Sequence, residues 1–124
     1  MIVVIIIAIL AAIALPAYLK TTERTRAAEA LQILASIRSA QRRYLAQNGA
    51  YAAALGDLDI DVPGFNGNPA SPNWTFATGA KTGDNAVAKR SAGTFKNATV
   101  EMDLDSAAQC SSNAVYGLAT PANC

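Results

Sequence analysis

Asp57, Asp59 and Asp61 alternate with Leu58 and Ile60 in the stretch DLDID. On an extended segment three carboxylates at this spacing share one face, and calcium takes several such oxygen ligands. Three like charges on a solvated loop are the commoner case, so the trio is a weak calcium candidate; no metal or other cofactor is expected. Cys110 and Cys124 are the two cysteines, and they enclose 15 residues counting both ends. Closed as a disulfide, such a loop would stabilise the domain by ~3 kcal/mol in the chain-entropy model. In a reducing compartment the same pair would remain two free thiols. An exported domain with a small core favours the bridge, and the spacing excludes a CxxC redox motif.

The chain contains no histidine, which removes the commonest general base and the commonest metal ligand. With no constellation of nucleophile, base or metal ligands, the sequence does not read as an enzyme. A net charge of +1 gives no electrostatic case for nucleic acid. Two Asn-x-Thr triplets, at Asn73 and Asn97, are of a kind frequent by chance. Tyr18, Tyr44 and Tyr51 read as packing residues.

The elements that must carry these residues begin with MIVVIIIAILAAIALPAYLK, in which Lys20 is the first charge. As a helix, residues 1–19 would span ~28 Å, about the hydrocarbon thickness of a bilayer. Ala12-Ile13-Ala14 fits a signal-cleavage pattern, but the segment does not end in a turn. Pro16 removes one helical hydrogen bond and marks a kink position. The flank Lys20–Arg26 carries three basic residues and one acidic, which counted alone would hold the following domain in the cytoplasm.

No proline or glycine occurs from Lys20 to Gln47. Ala27, Ala30, Leu31, Leu34, Ile37, Tyr44 and Leu45 recur at helical intervals, interrupted weakly by Ala40 and Gln41. Glu23, Arg24, Arg26, Arg38, Arg42 and Arg43 fall mostly on the other faces. Asn48-Gly49 supplies a C-terminal stop. The spacing therefore predicts one nearly continuous helix over 1–47, apolar all round in its first half and on one face in its second. Residues 1–19 form the apolar helix half, and 20–124 form a globular head that includes the amphipathic half 20–47.

Past the helix, Gly64–Pro72 reads as loop and Trp74-Thr75-Phe76 as the start of a strand. Residues 97–104 alternate as a half-buried strand, with Ala98, Val100, Met102 and Leu104 on one face. Residues 113–119 are a further strand candidate, and 81–91 reads as a flexible connection. Short antiparallel strands packed on the helix stripe give an α+β class.

MIVVIIIAILAAIALPAY resembles the N-terminal helix of type IV pilins and pilin-like pseudopilins. Met1–Val4, Ala11-Ala12, Pro16 and Tyr18 carry that likeness, and residues 26–51 extend it more weakly into the rest of a pilin helix. By this register six family residues would precede Met1. They include the phenylalanine whose amine is methylated in the family and a glutamate that neutralises a neighbouring subunit's amine. Ala8 stands where many members carry glycine.

The resemblance implies a pilin fold, with a long helix on a small antiparallel sheet and a C-terminal cysteine-closed loop. It implies a structural subunit, a major pilin, that waits in the bacterial inner membrane. Assembly machinery would extract the subunit into an extracellular filament, for adhesion, motility or surface attachment. The filament core would be built from Met1, Ile2, Val3, Val4, Ile5, Ile6, Ile7, Ala8, Ile9, Leu10, Ala11, Ala12, Ile13, Ala14 and Leu15 of many copies. Alanines at 8, 11, 12 and 14 would permit close helix approach, and Pro16 would promote local melting as the rod is stretched. Residues 62–96 and 105–124 would form the filament surface as exposed loops. Alternative functions are a minor pilin or pseudopilin of a secretion or DNA-uptake system, or a membrane-anchored binding domain outside the family.

Overall fold

The computed structural model describes residues 1–78 and 85–120. One helix, α1, runs Ile2–Asn48, ~70 Å at the usual rise. It continues through Pro16 without interruption. It ends where Gly49 takes φ 76°, a left-handed conformation that glycine adopts at little cost, and the Gly49 amide donates to the Leu45 carbonyl at 2.8 Å.

Four strands follow: β1, Trp74–Thr78; β2, Asn85–Arg90; β3, Thr99–Asp103; β4, Gln109–Ser111. They form one antiparallel meander in the order β1-β2-β3-β4, and α1 packs against β2 and β3. The fold is α+β, as the alternation of residues 97–104 and the helical stripe lead one to expect.

Small residues occupy the middle of the sheet's inner face. Ala88 stands opposite Phe76 on one side and Val100 on the other, and Ala86 opposite Met102. All five are buried. Alanines between large neighbours let the helix stripe of Ala27, Ala30, Leu34 and Ile37 approach the sheet closely. Trp74 and Leu104 complete the core, together with Ala52, Leu55, Leu58 and Val62 from the segment after the helix.

Several expectations are corrected. The connection expected over 81–91 holds β2 in its described part, because Ala86, Ala88 and Arg90 all turn inward. The 62–96 and 105–124 stretches accordingly contain β1, β2 and β4 and are not simply exposed loops. The strand expected over 113–119 is a single 3-10 turn, Ala114–Tyr116, closed by Gly117 at φ 72°; only Ala119 bridges back, in parallel, to Cys110. Asn113 causes the turn, since its side-chain oxygen accepts from the Val115 amide at 3.0 Å and diverts the backbone from a ladder.

The helix stripe also differs from its apolar reading. Its buried positions include Glu23, Ala27, Ala30, Leu34, Ile37 and Gln41, a regular alternation of four- and three-residue steps. Ala40 and Gln41 do not interrupt the stripe, since both face the core. Glu23, assigned above to an outer face, is its other polar end. At the Gln41 end, Nε2 donates to the Ala52 carbonyl at 3.0 Å and Oε1 accepts from the Ala52 amide at 2.8 Å. Both polar groups of one buried residue in the chain reversal are thereby satisfied.

A candidate assembly surface and the polar cluster at its root

Lys20 is the first charge because everything before it is methionine, a branched aliphatic residue, alanine, proline or tyrosine. A helix built from such residues has no polar face to turn outward. None of its most apolar window, at mean hydropathy 2.9, is buried against the rest of the protein. Met1, Ile2 and Val3, like Ile13 and Leu15 a dozen residues on, are each at least 60% exposed. This contiguous surface far exceeds the few hundred Å² of exposed apolar patch usual on a soluble monomer. The helix is long and apolar enough to cross a membrane.

Residues 21–25 change the surface chemistry within two turns. The hydroxyls of Thr21, Thr22 and Thr25 fold back onto the carbonyls four residues earlier, at 3.0–3.1 Å. Their methyl groups are left to face the surroundings.

Below this junction lies a buried polar cluster. Glu23 and Arg90 are 7% and 3% exposed. Arg90 Nε donates to Glu23 Oε2 at 3.3 Å and Nη2 to Oε1 at 3.4 Å. Arg26 pairs with the same carboxylate one turn along the helix. Arg90 Nη1 also donates to the Asn73 carbonyl at 2.8 Å and to Asn73 Oδ1 at 3.2 Å. Its guanidinium carbon stands 5.6 Å from the Trp74 ring centroid, a cation–π distance.

Trp74 Nε1 donates to the Arg26 carbonyl at 3.0 Å, and Ala30 four residues on is too small to obstruct that approach. Tyr116 leans on Trp74 with ring centroids 5.9 Å apart. The Tyr116 hydroxyl is buried without a hydrogen-bond partner. Burial raises its pKa above the usual 10.0, and the negative charge of Glu23 adds to that effect. The cluster therefore ties α1, β1, β2 and the 114–116 turn together where the apolar helix leaves the head. Sequence reading had no signal for it, since partners 67 residues apart share no local pattern.

The other candidate residues are placed as follows. Asp57, Asp59 and Asp61 are all exposed, and the neighbours that turn inward are Leu55, Leu58 and Val62. Arg43 Nη2 donates to Asp59 Oδ1 at 2.8 Å, and this hydrogen bond holds the Asp59 carboxyl below its ordinary pKa. Asn68 Nδ2 donates to Asp61 Oδ1 at 3.2 Å. Among the described residues no group of three potential ligands converges on a metal position. Cys110 is buried in β4, while Cys124, and with it the expected disulfide, lies outside the described residues.

Above the cluster, between the helix and the head, lies an open groove of about 680 Å³. Pro16, Leu19 and Thr22 form one wall, Phe95 and Val115 the other, and Lys20, Glu23 and Arg26 line it as well. No family model, curated protein or solved structure matches the chain.

Proposed function

We propose that the protein is a pilin-like structural subunit that polymerises through its N-terminal helix into a filament, with the inner membrane as its station before assembly. The observation that carries this reading is the division of one continuous helix. From Glu23 onward α1 supplies the spine of a packed head; every residue from Met1 to Thr21 is exposed.

Such a surface has two stable environments. In lipid it is solvated, and association is driven by packing rather than by water. In a filament surrounded by water the same surface is a hydrophobic core. Identical head-to-tail contacts between copies give an open helical polymer rather than a closed ring. Ala8, Ala11, Ala12 and Ala14 permit close contact between such helices, and Pro16, which leaves the Ala12 carbonyl without its usual amide donor, supplies a point where the rod can stretch. The N-terminal resemblance to type IV pilins supports the same reading, as does the helix-on-sheet architecture. Adhesion, motility or surface attachment would then belong to the assembled fibre.

Electron microscopy of the full chain after detergent removal tests the proposal. Thin filaments are expected, with residues 1–19 shielded from protease. A chain beginning at Lys20 should stay soluble and monomeric. Polymerisation of that truncated chain would remove the apolar helix as the assembly core, and a full chain that enters vesicles but never forms filaments would leave a membrane-anchored domain.

A further inference from the structure

The groove at the root of the head has a chemistry distinct from the bare helix before it. Its volume of about 680 Å³ falls within the ~300–1,000 Å³ usual for small-molecule sites. Pro16 and Leu19 belong to the last turn of the apolar span, and Phe95 and Val115 of the head stand opposite them. If residues 1–19 occupy the ~30 Å hydrocarbon layer, the groove opens at the level of the lipid headgroups.

Charge is distributed to match. Lys20, Glu23 and Arg26 are the charged residues of the groove's lining, and the Glu23 carboxylate is already engaged by Arg26 and by the buried Arg90 behind it. Arg24 is anchored beside the groove by donating from Nε to the Val115 carbonyl at 3.3 Å. Lys20 is exposed, lines the groove and has no acidic neighbour on the helix before Glu23.

We propose that this groove binds one anionic phospholipid, with an acyl chain along Pro16, Leu19, Phe95 and Val115 and the phosphate at Lys20 and Arg26. The competing occupant is the apolar helix of a second copy. None of residues 1–19 is acidic, so what they bring to the groove matches its apolar part. A lipid phosphodiester with its acyl chain meets both parts, since each Lys or Arg near a membrane surface adds attraction for anionic headgroups. The inference rests on the membrane station of the proposed function and is independent of whether filaments form.

The test uses the full chain in mixed micelles, before any assembly. Presented with equimolar phosphatidylglycerol and phosphatidylcholine, it should retain phosphatidylglycerol by native mass spectrometry with at least threefold preference. Lys20→Gln should reduce that preference at least twofold. In a second measurement Phe95→Trp places a fluorophore in the groove. Phosphatidylglycerol brominated on its acyl chains should quench it several-fold more than brominated phosphatidylcholine, with circular dichroism confirming an unchanged fold.

Equal retention and equal quenching by the two lipids would overturn the proposal in favour of plain bilayer contact. Loss of quenching as protein concentration rises at a fixed lipid-to-protein ratio would overturn it in favour of a second copy. Filaments that form normally alongside no lipid preference would refute this inference and leave the polymer reading intact.

Discussion

Arg90 and Glu23 form a buried ion pair that joins the second strand of the sheet to the helix just where the helix loses its apolar surface. Neither side chain is left with bare charge. Arg90 is shared between the Glu23 carboxylate, two oxygens of Asn73 and the Trp74 face. A buried pair of this kind adds little net stability over an apolar pair of the same volume, but removing one partner is costly. Its placement fixes which length of α1 belongs to the head.

Glu23→Ala is therefore expected to destabilise the head by ~3 kcal/mol, the lower end for breaking a buried pair because Asn73 still accepts from Arg90. Near-UV circular dichroism of Trp74 during thermal unfolding in detergent measures it. The double variant Glu23→Leu with Arg90→Met should recover most of the loss. A single variant that melts like the parent would show that the pair is solvated.

Gln41→Ala removes both hydrogen bonds to Ala52 and leaves a buried amide and carbonyl unpaired. The expected loss is ~2–3 kcal/mol, the desolvation cost of such orphaned groups. Amide exchange should accelerate first at Ala52 and through the Leu55 turn. If exchange there is unchanged, the chain reversal is held by Leu55, Leu58 and Val62 alone.

Tyr116 gives a pH dependence at the alkaline end. Its folded pKa lies above the unfolded value of 10.0, so its contribution to stability is fully present below pH 10 and is lost as pH rises through the folded value. Melting temperature should fall above pH 10, and Tyr116→Phe should flatten that fall. Ultraviolet difference titration should show one tyrosine ionising above pH 10 that is missing from the Tyr116→Phe variant.

Calcium is expected to leave the melting temperature of the full chain unchanged. Asp59 is held by Arg43 and Asp61 by Asn68, and the buried Leu55, Leu58 and Val62 set the path of the segment. Millimolar calcium that raises the melting temperature, with Asp59→Asn abolishing the rise, would reinstate the three carboxylates as a site.

Much of the architecture was legible in the residues. A helix records itself in local spacing, and α1 ends at Asn48-Gly49 because only there does the chain offer a left-handed cap. The β3 strand was legible because Val100 and Met102 alternate with Thr99, Glu101 and Asp103. By contrast, β2 was obscured because its inward residues are two alanines and an arginine, which no hydrophobic pattern registers.

Local sequence determined the apolar rod, the stripe behind it, the stop and the α+β class, because each depends on residues within a turn or two of one another. Tertiary structure alone decided that the stripe is bounded by the polar residues Glu23 and Gln41. Burial of a charge or an amide is tolerated only where a partner stands opposite, and those partners, Arg90 and the backbone of Ala52, come from distant points in the chain. The same long-range closure set Phe95 and Val115 beside the end of the apolar span, and so made a groove where the sequence showed only a helix leaving one solvent for another.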